Sequence, residues 1–172
     1  MTTVETNLNN VDLAAVGGLV QAITDDAGKA QTTWGAQVRW TGGFSSEARV
    51  REFAPIQSDE PAGLGGGDAA PNPVEQLLAA LGNCLAVGYA ANASVAGIAI
   101  QELSISLDGD IDLRSFLGLA GGHAGFNAIR AVVDLKTDAD PEALEALHAR
   151  VAASSPVGHT LTAPVELSIT SA

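Results

Sequence analysis

The chain has 172 residues, enough for one domain with a real core and well short of two. Twenty acidic residues against eight basic ones leave a net charge of −12, which repels phosphate backbones and anionic membranes, so neither nucleic acid nor a membrane surface is an expected partner. A single cysteine excludes an internal disulfide and agrees with a reducing compartment.

The start, Met1-Thr2-Thr3-Val4-Glu5, lacks the basic and apolar regions of a signal peptide, and no stretch approaches the roughly 20 apolar residues of a membrane span. A cytoplasmic protein is expected. Val11 to Ile23 carries apolar residues at helical spacing, weakened by Gly17-Gly18, and predicts a short helix that packs on the body or on a partner subunit. Residues 1–30 thus form a helical extension to one domain spanning 1–172.

Ala36 to Trp40 alternates as a strand, Thr41-Gly42-Gly43 turns, and Phe44 to Phe53 returns, which predicts a hairpin. Pro55 to Pro71, with Gly63 and Gly65-Gly66-Gly67, reads as a loop without regular structure. Pro73 suits the first turn of a helix and Asn72 its cap. That helix runs to about Val95 and is nearly uncharged after Glu75, so it should be buried on nearly all sides, more than one small core achieves. A second subunit is expected to cover it.

Leu103 to Leu107, Ala131 to Leu135 and Val165 to Ile169 alternate as three half-buried strands. Between the first two, Gly121-Gly122-His123-Ala124-Gly125 is an irregular connection, and Asp140-Pro141-Glu142 opens a second helix with Leu144, Leu147 and Val151 on its apolar face. The order of hairpin, long helix, strands, helix, strand is α+β.

Cys84 falls on the apolar stripe of the long helix with Leu77, Leu81 and Gly88, where a thiol can be an inert small hydrophobe. Pro73-Val74-Glu75, the run Leu77-Leu78-Ala79-Ala80-Leu81-Gly82 and Cys84 eleven residues after Pro73 resemble the central helix of the OsmC/Ohr family, which includes thiol-dependent hydroperoxide reductases. Ser155-Pro156-Val157-Gly158-His159-Thr160-Leu161 is similar to that family's second landmark, with serine in place of its cysteine. Asp59-Glu60-Pro61 and Asp110 to Leu119 resemble one branch of OsmC-like proteins.

The resemblance implies an OsmC-like fold in an intertwined homodimer. It also implies peroxide reduction by Cys84, with a second cysteine as resolver and an arginine held by a glutamate to stabilise the thiolate. Ser155 stands at the resolving position and cannot form a disulfide, so an external thiol reductant is needed. Glu75 lies one residue beyond the family's glutamate position, where this chain has Val74, and an acid in the first turn also serves the helix dipole. Candidates for the arginine are Arg39, Arg49 and Arg51, with Arg51 carried as the site residue; each is also an ordinary surface arginine.

His159 is a candidate base for Cys84, in peroxide chemistry or as a cysteine hydrolase, or an ordinary loop residue. His148 reads as solvated face and His123 offers no ligand spacing, so neither a metal nor another cofactor is expected. The expected ligand is a small hydrophobic hydroperoxide. The alternative is a binding module that holds another apolar molecule at the subunit interface.

Overall fold

A computed structural model describes residues 7–171; the polar start at residues 1–5 lies outside them. The chain divides into two compact units, one of residues 14–77 and one of residues 7–13 with 78–171.

In the first unit, α1 spans Leu13–Asp25 and leaves Val16, Leu19 and Val20 exposed. The hairpin follows as β1, Gln37–Gly42, and β2, Ser45–Arg49, antiparallel with Arg39 opposite Glu47 and Trp40 opposite Ser46. Gly43 takes a left-handed φ of 57°, which a hairpin turn asks for, and the Trp40 indole N–H donates to its carbonyl at 2.9 Å. The returning strand is shorter than its sequence pattern, because Arg51 adopts a φ of 50° and ends the ladder.

The stretch expected to be an unstructured loop contains β3, Ile56–Ser58, which adds to β2 with Ala48 opposite Ile56. Its three residues are too few to produce a readable alternation. Beyond β3 the buried carboxylate of Asp59 accepts backbone N–H groups from Glu60, Gly67 and Ala69, at 2.9, 3.0 and 3.2 Å, and so folds the glycine loop back on itself. The donors at Glu60, Ala69 and Gly67 hold this carboxyl below the ordinary range.

Helix α2 spans Pro73–Val95, as expected. Asn72 and Glu75 form a reciprocal capping box: the Asn72 side-chain oxygen accepts the Glu75 N–H at 2.9 Å, and the Glu75 carboxylate accepts the Asn72 N–H at 2.8 Å. Contrary to the sequence expectation, α2 is by length and composition long and apolar enough to cross a membrane. Its side chains, however, contribute to the core of the second unit.

That core joins Tyr89 and Ala93 of α2 to Leu147 and Val151 of α3, Pro141–Ser154. Leu103 and Ile105 of β4, Glu102–Ile111, pack against it with Val133 and Leu135 of β5, Phe126–Lys136. The two strands are antiparallel, with Ile105 opposite Val133, and the inward side chains of β4 alternate with exposed ones. Gly88 lets α3 come close: a Cβ there would stand 3.1 Å from a methyl of Val151. Asp140 caps α3 by accepting the Ala143 N–H at 2.8 Å, a bond whose loss costs about 1 kcal/mol.

Asn9, with a left-handed φ of 55°, pins the start of the described chain to this unit. Its amide donates to Ser94 Oγ and to the Ile98 carbonyl, both at 3.0 Å, and its oxygen accepts the Ile100 N–H at 2.8 Å.

One expectation fails here. Val165 to Ile169 is not a strand; its alternating apolar side chains are exposed and no neighbouring strand pairs with it. A strand needs a partner to satisfy its backbone, and alternation alone cannot supply one. Within the single chain Val87 and Val95 of α2 remain about 70% and 67% exposed, apolar surface that one small core was not expected to hide.

Candidate active site around Cys84

The thiol stands two turns after the first residues of the apolar run in α2, half-buried, and it is a free cysteine. Opposite it comes Ser155, which ends α3 and caps α4, Pro156–Thr162. The sequence left His159 as a possible loop residue; serine followed by proline at the first helical position in fact starts a helix. Cys84 Sγ and Ser155 Oγ are 3.3 Å apart, and Ser155 is only 5% exposed. Residues 71 positions apart in sequence are thus brought into contact.

Ser155 Oγ also accepts the Gly158 N–H at 3.1 Å. Gly158 was not among the expected site residues. Its signal was present as glycine at the third helical position after a serine cap, and a Cβ there would lie 3.0 Å from Ser155 Oγ and 3.9 Å from a methyl of Leu81.

His159 does not bond to the sulfur: its Nε2 is 2.9 Å from the Ala153 carbonyl, and the residue is exposed. The acyl-transfer chemistry considered for a Cys84/His159 pair therefore finds no bonded base here. Glu75 is occupied by the capping box, the role its place in the first turn suggested.

The three candidate arginines belong to the unit of residues 14–77. Arg39 and Arg49 both pair with Glu47, at 3.1 and 3.2 Å, and with Arg39 first and Arg49 next they hold its carboxyl below the ordinary range. The Arg51 guanidinium lies over the Phe53 ring, 4.6 Å from its centre.

His148, read from sequence as solvated face, is exposed but shares a hydrogen bond of 2.6 Å with the Tyr89 hydroxyl. Burial of Tyr89 raises its phenol above the usual range. Cys84 lines neither of two cavities, one in each unit. One of about 390 Å³ is lined by Ile98, Ala99, Thr137, Asp138 and Ala143 among others, and one of about 200 Å³ by Gln37, Val38, Arg39, Glu47 and Arg49. Among the described residues no group of three His, Cys, Asp or Glu side chains is placed to hold a metal ion.

A long capped helix carrying one thiol, with an antiparallel ribbon and a second helix on its core side, defines an α+β protein of a recognisable kind. Residues 65–170 match the sequence profile of the OsmC-like protein family, and the chain belongs to that family. An OsmC-like protein from Mycoplasma pneumoniae superposes with a TM-score of 0.67 at 17% identity, over 77% of this chain and 89% of that one. An organic hydroperoxide resistance protein from Legionella pneumophila gives 0.57 at 17% identity, over 76% and 91%. One from Elizabethkingia anophelis gives 0.56 at 17%, over 75% and 89%. At such identities these likenesses establish the shared fold. No curated protein sequence matches the chain significantly.

Proposed function

We propose that this OsmC-like protein reduces organic hydroperoxides through Cys84 and is returned to the thiol by an external reductant. The observation that carries this reading is the 3.3 Å contact between Cys84 and Ser155, because it apposes the two family landmarks around a free thiol. In the reaction the thiolate attacks the outer peroxide oxygen. An S–O bond forms as the O–O bond breaks, the alkoxide leaves and takes a proton as the alcohol, and the sulfur, oxidised by two electrons, becomes a sulfenic acid.

Cys84 is the only cysteine of the chain, so no disulfide can close within it. An external thiol then condenses with the sulfenic acid, water leaves, and a second thiol releases Cys84 from the mixed disulfide. A thiol-rich reducing compartment such as the cytoplasm suits this cycle. A homodimer completes the reading, because the exposed Val87 and Val95 of α2 and the unpaired apolar run from Val165 to Ile169 call for a covering partner.

Consumption of cumene hydroperoxide, measured with a monothiol and with a dithiol beside Cys84→Ser, tests the proposal. Turnover with either reductant that disappears in the variant is expected. Equal consumption by the variant, or no sulfenic acid on Cys84 after stoichiometric peroxide, overturns it.

A further inference from the structure

We infer that Ser155 is a positioning residue for the thiol, a buried hydroxyl whose proton is aimed at Cys84 Sγ and which favours the charged, nucleophilic sulfur. The inference rests on the reading of Cys84 as the reactive residue and gives the residue at the resolver's place a different task.

The direction of the hydrogen bonds follows from the partners. A backbone N–H only donates, so the Gly158 N–H at 3.1 Å fixes Ser155 Oγ as an acceptor on that side. The other contact of this oxygen is Cys84 Sγ at 3.3 Å. Were the thiol to donate to the serine, the hydroxyl proton would be left without an acceptor at a residue 5% exposed, and a buried unmade hydrogen bond is costly. The arrangement that pairs both the Gly158 N–H and the buried serine hydroxyl runs from Gly158 N–H to Ser155 Oγ–H to Cys84 Sγ.

The oxygen is held in place as well as oriented. Ser155 is at once the C-terminal cap of α3 and the N-terminal cap of α4, with an extended backbone at φ −74° and ψ 111° and Pro156 fixing the next residue. Gly158 carries no Cβ to displace it, where one would stand 3.2 Å from Ser155 Cβ. A donor fixed toward sulfur interacts more strongly with a thiolate than with a thiol, and the thiolate is the nucleophile. The same proton is available to the oxygen of a sulfenate once Cys84 has been oxidised.

Alkylation of Cys84 by iodoacetamide at neutral pH, with no peroxide present, tests this directly. Ser155→Ala and Ser155→Gly should slow alkylation about tenfold, the effect of losing one hydrogen bond to a charged group. Ser155→Thr, which keeps the hydroxyl, should stay within about threefold of wild type. The glycine variant costs a helix cap only a few tenths of a kcal/mol, so it provides a folded protein where alanine does not. Circular dichroism checks both.

A serine that served only as a cap would give the opposite sign, since its loss would loosen the segment over the sulfur and speed alkylation. Unchanged or faster alkylation in both Ser155→Ala and Ser155→Gly, or a threonine variant as slow as alanine, overturns the inference. If alkylation slows as expected while wild type consumes no hydroperoxide, the hydroxyl's role stands and the peroxide reading falls.

Discussion

Tyr89 Oη and His148 Nδ1 lie 2.6 Å apart with their rings edge to face, and this contact links α2 to α3. Tyr89 is 4% exposed, whereas His148 sits on the outer face of α3. The phenol therefore meets no solvent alternative as good as the imidazole. Tyr89→Phe should destabilise the protein by about 1 kcal/mol, the net value of one hydrogen bond. That corresponds to a melting temperature lower by about 3 °C for a chain of this size.

The pH dependence of the Tyr89 contribution has a defined sign. Burial raises the folded-state phenol above its ordinary value of 10.0, so the unfolded chain releases this proton first as pH rises. Stability contributed by Tyr89 is full below that value and is lost as pH climbs through the raised one. Denaturant titrations of wild type and Tyr89→Phe should show their difference shrinking above about pH 10. A constant difference would refute the burial argument.

The apposition of Cys84 and Ser155 makes a second prediction. A thiol introduced by Ser155→Cys replaces an oxygen that stands 3.3 Å from Cys84 Sγ, so a small side-chain rotation should bring the two sulfurs to the roughly 2 Å of an S–S bond. Exposure to a hydroperoxide should close an intramolecular disulfide, and turnover with a dithiol should rise above wild type. A variant that stays fully reduced under excess peroxide, or pairs only between molecules, would show that the two side chains do not meet in solution.

Assembly gives the third. Val87 is about 70% exposed on an otherwise apolar helix that continues into the core. If a second copy covers this face, light scattering at micromolar concentration should report twice the mass of the chain. Val87→Glu should then shift the protein toward monomer, because it would bury an unpaired charge. A monomeric wild type would remove the dimer from the proposal.

The sequence by itself determined the elements that satisfy their own backbones. Asn72, Pro73 and Glu75 wrote the start of α2, and Asp140 and Pro141 that of α3, because a helix closes its hydrogen bonds locally and its caps are read within four residues. The spacing of Pro73, Leu81 and Cys84, with the serine-proline landmark, was enough to suggest the family. Tertiary structure decided whatever depends on a distant partner. The short run Ile56–Ser58 became a strand because β2 lay open beside it, whereas the better alternation from Val165 to Ile169 did not, lacking a neighbour. His148 found Tyr89, and His159 found a carbonyl and not the sulfur. Only the folded chain buries Ser155 between two helices and engages its oxygen with Gly158, the arrangement from which the direction of its hydroxyl is inferred. A hydrogen bond has polarity only when all its partners are in place, and no local pattern in the sequence contains them.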